Sequence, residues 1–177
     1  MRKTVIVVAL ILLASLASAE TPKLGAGAFG GVSIPLIQQD QAQGTEFGLR
    51  GRVSLLSFLS AEAQLAFTKW GKPDPIEGIP WTEGSKVTSF GINGVLGGGP
   101  GPGVKPFFVV GAGSYKIKND ETKLEISRLG YSGGLGIGIG LGPKIGLDVR
   151  GEAVVVPLEE GGSKKAVKVT GGLFYNF

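Results

Sequence analysis

Glycine accounts for 32 of the 177 residues, about 18 per cent against roughly 7 per cent in ordinary proteins, yet it follows no G-X-Y period, which excludes a collagen-like fibre. Apolar residues make up 42% and charged residues 18%, too apolar for a disordered chain and poorer in charge than a typical soluble domain. The formal net charge is +4 and there is neither cysteine nor histidine, which removes disulfides, thiolate chemistry, the usual neutral-pH base and the commonest metal ligands.

The chain opens with Arg2 and Lys3, an apolar run from Val5 to Ala14, and the triplet Ala17-Ser18-Ala19. A basic start, a short apolar run and an A-x-A site predict a signal peptide over 1–19, cleaved after Ala19. The run is too short for a membrane-spanning helix. The remaining domain, 20–177, holds 16 basic and 14 acidic residues once Arg2 and Lys3 are gone, a net charge of +2. These charges are scattered, which argues against a nucleic-acid surface.

Beyond the leader no window sustains a helical apolar face. Alternation of period two, broken by glycine, proline, asparagine and aspartate, instead predicts strands at 24–35, 45–57, 59–70, 86–97, 104–117, 128–141, 143–156 and 165–177. In the first, Gly25, Gly27 and Gly31 oppose Leu24, Ala26, Ala28, Val32 and Ile34. The second sets Phe47, Leu49, Gly51, Val53 and Leu55 against Glu46, Arg50, Arg52 and Ser54. The third sets Ala61, Ala63, Leu65 and Phe67 against Glu62, Gln64, Ala66 and Thr68. The fifth is apolar on both faces and its facing stays open. The sixth alternates Leu129, Tyr131, Leu135, Ile137, Ile139 and Leu141 with Gly130, Gly134, Gly136, Gly138 and Gly140, and these glycines are expected to make room for Arg50, Arg52 and Arg150. The seventh sets Ile145, Leu147, Val149, Gly151, Ala153 and Val155 against Lys144, Asp148, Arg150 and Glu152.

Loops 36–44, 71–85, 118–127 and 157–164 are long and polar, whereas the connections at Phe58, 98–103 and Gly142 are tight. Long loops at one end and short turns at the other predict an all-β, eight-stranded, antiparallel up-and-down transmembrane β-barrel. Each predicted strand exceeds the usual five or six residues and suffices for a tilted span of about 9–11. In a bilayer the charged faces turn inward. Arg50, Arg52, Lys144 and Arg150 are then expected to meet Glu62, Asp148 and Glu152 across a lumen just wide enough to be filled by side chains. Phe58, Phe107, Phe108, Phe174, Tyr175 and Phe177 collect at the turn end, and Phe47, Phe67, Trp70, Phe90, Tyr115 and Tyr131 toward the loop end, as two interfacial aromatic girdles would.

The last strand closes on Leu173, Tyr175 and a terminal Phe177. With this ending the chain resembles the small outer-membrane β-barrel proteins of Gram-negative-type bacteria, the OmpA-like or opacity-type group. That resemblance implies that Leu173, Tyr175 and Phe177 form the signal read by the barrel assembly machinery. It also implies an outer-membrane location.

Two strings match catalytic or cofactor motifs without their context. Gly25–Gly30 fits G-x-G-x-x-G but lacks a preceding strand and an opening helix; Gly130–Gly134 fits G-x-S-x-G in a chain without histidine. The expected role is therefore structural or surface-interacting, without catalysis or cofactor, in a monomer. Contacts with an extracellular ligand would run through loops 36–44, 71–85, 118–127 and 157–164, with Trp81 the most distinctive residue. The alternatives are a secreted or periplasmic lipocalin-like carrier of a small apolar ligand, which needs its apolar residues inside, and a lipid-modifying barrel enzyme, disfavoured by the missing histidine.

Overall fold

A computed structural model describes residues 23–36, 42–71, 84–98, 102–119, 124–158 and 162–177. The predicted signal peptide and Trp81 lie outside the described residues.

Alternating side chains and frequent glycine favour extended backbone, whose N–H and C=O groups need partners on both sides. In hydrocarbon no water supplies them, and closing the sheet does. The eight strands, β1 (Lys23–Leu36), β2 (Ala42–Leu56), β3 (Leu59–Gly71), β4 (Lys86–Gly97), β5 (Gly103–Asn119), β6 (Leu124–Gly140), β7 (Ile145–Pro157) and β8 (Ser163–Asn176), form a closed barrel in sequence order. Every neighbouring pair is antiparallel, and β8 closes on β1 with Ala26 opposite Tyr175 and Ala28 opposite Leu173.

Several strands outrun their predicted bounds. β2 begins at Ala42 instead of 45 and β6 at Leu124 instead of 128, because polar residues continue the ladder past the apolar band. Lys116 stands opposite Ser127 and Lys118 opposite Glu125, a stretch that reads as loop by composition alone. At the other end, Ser57 and Phe58 turn β2 into β3, and the Gly97 N–H donates to the Phe58 carbonyl at 2.7 Å. Gly97 and Gly98 carry φ of 94° and 63°, a left-handed corner that a side chain would strain.

The facing of the side chains decides which medium surrounds the barrel. Phe47, Leu49, Ile92 and Leu135 are 63%, 60%, 63% and 65% exposed, while Arg150 and Glu62 are each 1% exposed. Apolar out and charged in is the reverse of what a soluble carrier requires, and it suits a lipid-facing surface.

β5 is now assigned. Phe107, Val109, Tyr115 and Ile117 are buried inside, and Val104, Phe108 and Val110 face out. This corrects the aromatic girdles. Phe107, Trp70, Tyr115 and Phe174 point into the lumen, since sequence position sets height along a strand but only parity sets facing. The outward rings are Phe58, Phe108, Tyr175 and Phe177 at the turn end and Phe47, Phe67, Phe90 and Tyr131 toward the loop end.

Candidate functional site

The lumen is organised around Glu62 on β3. Arg150 on β7 reaches its two carboxylate oxygens through Nη2 at 2.8 and 3.1 Å. Arg52 on β2 donates to Oε2 through Nη2 at 2.6 Å and Nε at 3.1 Å. Asp148 accepts from Arg50 Nη1 at 3.2 Å and from Arg52 Nη2 at 3.3 Å, and Glu152 accepts from Arg150 Nη1 at 3.0 Å. Neutral groups extend the lattice: Arg50 donates to Gln64 at 3.2 Å and to Thr170 at 2.9 Å, and Asn93 donates to Glu62 at 3.3 Å. Three guanidinium groups thus meet three carboxylates, and the contacts join β2 and β3 to β7 across the barrel.

Lys144 stands apart from this cluster. It lies exposed in the turn before β7, with Nζ 5.8 Å from the Tyr175 ring. Inward parity places a side chain in the lumen only within a strand, and β7 begins one residue later.

A second pair lies in the lumen toward the loop end. Lys168 Nζ meets Glu46 Oε2 at 2.6 Å, and the Thr68 hydroxyl donates to the same oxygen at 2.6 Å. Glu46 and Lys168 occupy charged positions on the inward faces of β2 and β8, so parity was the signal that could have added them to the expected cluster.

Aromatic side chains floor the charged layer. The Arg50 guanidinium sits 3.7 Å from the Phe29 ring centroid and that of Arg52 4.5 Å from Phe174, an arrangement that stabilises a desolvated cation. Four inward rings, Phe29, Phe107, Tyr115 and Phe174, each lie against a glycine of an adjacent strand. A Cβ on Gly48 would come within 2.7 Å of Phe29, one on Gly27 within 2.9 Å of Phe174, and one on Gly130 within 2.7 Å of Tyr115. On β6 the glycines therefore make room chiefly for Phe107 and Tyr115, together with the Arg150 stem, rather than for Arg50 and Arg52.

Gly136→Ala tests this packing. Its Cβ would meet Phe107 Cζ at 2.5 Å and Arg150 Cβ at 2.8 Å, whereas nothing lies within 4 Å of a Cβ at the lipid-facing Gly51. Gly136→Ala is expected to lose about 1–3 kcal/mol through overpacking. Gly51→Ala should cost nothing, as measured by urea unfolding in vesicles.

The lumen differs at its two ends. Trp70, Val87, Tyr115, Ile117, Val154, Val156 and Ala166 form an apolar layer above the charges at the loop end, with the Trp70 indole N–H donating to Ser33 at 3.0 Å. At the turn end an open recess of about 60 Å³ reaches Arg52 and Asp148.

A family model described as outer membrane protein beta-barrel domain matches residues 5–177. The chain belongs to this outer-membrane β-barrel family. Sequence comparison with curated proteins gives no match. Among solved structures the barrel resembles Neisserial surface protein A, with a TM-score of 0.64 and 13% identity over 88% of this chain and 97% of that one. It also resembles the N-terminal β-barrel domain of Pseudomonas aeruginosa OprF, with a TM-score of 0.59 and 15% identity over 89% of this chain and 100% of that one. A third likeness is to Ail, the attachment invasion locus protein of Yersinia pestis, in complex with the heparin analogue sucrose octasulfate; the TM-score is 0.55, with 17% identity over 89% of this chain and 100% of that one.

As an outer-membrane barrel, the protein resides in the outer membrane with its apolar outer band against lipid. The C-terminal residues Leu173, Tyr175 and Phe177 all lie on that outer face, and the Tyr175 and Phe177 rings pack edge to face at 5.2 Å.

Proposed function

We propose that this outer-membrane barrel has a structural or surface-contact role without catalysis, and that its lumen is plugged by its own side chains. The observation that carries this reading is the cross-lumen contact of Glu62 on β3 with Arg150 on β7, sealed on the loop side by the apolar layer around Trp70 and Tyr115. An eight-stranded barrel leaves an interior that side chains can fill, and here charge balance supplies a reason for the fill to stay.

Residues 1–19 would direct export and be removed. The outward Leu173, Tyr175 and Phe177 would be read by the assembly machinery while the strand edges are still open, and the folded barrel would act as a monomer. Contacts with extracellular molecules would fall to loops 36–44, 71–85, 118–127 and 157–164, with Trp81 in the longest. Ail, of the same fold, is crystallised with a heparin analogue, which makes polyanionic surface sugars a reasonable first class of ligand to try.

Planar-bilayer recording of the refolded protein tests the plug. The expected result is no large, steady conductance. Sustained open channels in the wild-type protein would overturn it.

A further inference from the structure

The recess at the turn end is kept open by glycines that packing does not require. Deeper in the lumen the inward glycines are matched by rings: a Cβ on Gly136 would meet Phe107 at 2.5 Å. One inward position nearer the turns, a Cβ on Gly138 would find nothing closer than the Lys105 carbonyl at 3.7 Å. At Gly146 the nearest atom would be the Ile139 carbonyl, also at 3.7 Å. In the ladder register Gly138 stands between Lys105 on β5 and Asp148 on β7. These three residues line the recess together with Arg52, Ser54 and Ser60.

Arg52 gives the recess its chemistry. Its side chain is 16% exposed, whereas those of Arg50 and Arg150 are fully covered. Nε and Nη2 are bound to Glu62 and Asp148, so Nη1 keeps two N–H donors that meet no acceptor among the described residues. Nη1 is not among the buried atoms left without a partner, so it is reached from the recess. Asp148 is already engaged, with Oδ1 on Arg50 and Oδ2 on Arg52 Nη2. The Ser60 hydroxyl donates to Ser54 at 3.4 Å, which leaves the Ser54 O–H as a further donor. A guanidinium edge and a hydroxyl aimed into one small space call for an oxyanion, and bonds from a charged donor to such a group are the strong ones.

We propose that this recess binds a carboxylate group, held by Arg52 Nη1 and the Ser54 hydroxyl. Asp148 in the same lining favours a monoanion over a dianion such as phosphate, because the repulsion rises with the ligand's charge. The volume of about 60 Å³ has room for roughly four water-sized groups, which matches a carboxylate and the carbon next to it. The short turns of outer-membrane barrels face the periplasm. The carboxylate therefore arrives from that side, either as a small free acid or as the end of a larger periplasmic chain.

The test is an NMR titration of the folded protein in lipid nanodiscs, following the Arg52 Nε–H and Gly138 amide signals. The probes are acetate, N-acetyl-alanyl-alanine, its C-terminal amide and inorganic phosphate, each against chloride at the same ionic strength. Acetate should give saturable shifts that chloride does not. Saturation by the dipeptide acid as well would identify a chain end as an accepted source, and saturation by acetate alone would identify a free acid. G138V, which fills the space between Lys105 and Asp148, should abolish binding, while G51A on the outer wall should leave it unchanged. S54A should weaken it about fivefold, and R52K on the order of tenfold or more. Heat-modifiable migration reports the fold of each variant; if R52K does not fold, G138V and S54A decide. No saturation by either carboxylate, unchanged binding in G138V, or equal binding of the dipeptide amide or of phosphate would each overturn the proposal.

Discussion

Glu62→Ala is expected to lose about 3–5 kcal/mol of folding stability, the largest effect of any single lumen substitution. The carboxylate accepts from Arg52 and Arg150 and lies 3.9 Å from Arg50. Its removal leaves three guanidinium groups sharing Asp148 and Glu152 in a space with little water to replace the lost partner. Much of the cost is therefore the unpaired buried charge and not the worth of the pair itself. The double substitution E62M/R150M separates these two quantities. Removing both members leaves Arg50 and Arg52 on Asp148 and fills the gap with apolar volume, but Glu152 loses its Arg150 partner, so the double variant should recover part of the loss and stay below wild-type stability. Urea unfolding in lipid vesicles, followed by heat-modifiable migration, measures both. A loss below about 1 kcal/mol for Glu62→Ala would mean that water reaches the network and that the lumen is not dry.

Ile92→Arg is expected to lose about 2–4 kcal/mol, whereas Thr45→Arg should lose about 0–1. Both side chains face outward, but at different depths. Ile92 lies opposite Ala63 and Ala112, between the loop-side ring of Phe90 and the turn-side ring of Phe108. Thr45 lies opposite Lys69, beyond the loop-side girdle. An arginine at an exposed leucine-like site on a water-soluble barrel would shift stability by about 0.5 kcal/mol or less. The difference between the two variants therefore reads the hydrocarbon slab directly. Equal, small effects at both positions would contradict a lipid-facing band.

Much of the barrel was legible because its information is periodic. Glu46, Arg50, Glu62, Gln64, Asp148, Arg150 and Glu152 share a face in their strands by simple alternation, and the buried positions follow that parity. The loop and turn lengths gave the antiparallel order. Strand ends were less legible where polar ladders such as Lys118–Glu125 continue past the apolar band. β5 was illegible because Phe107, Phe108, Val109 and Val110 offer no polar face by which to orient it. Lys144 was misplaced because parity carries no meaning one residue beyond a strand.

By itself the sequence determined that the chain alternates, that it does so eight times, and that glycine, not helix or disulfide, shapes it. Those properties are local, and each follows from residues within about ten positions of one another. Only the tertiary structure decided which charges meet. Glu62 and Arg150 are 88 positions apart, and closure of β8 on β1 together with the register of every ladder brings them to 2.8 Å. The same closure decided what the glycine is for. Gly27, Gly48, Gly130 and Gly136 are the floors on which Phe174, Phe29, Tyr115 and Phe107 lie. A narrow barrel that holds large rings and three arginines on one side of its wall has no volume left for side chains beneath them.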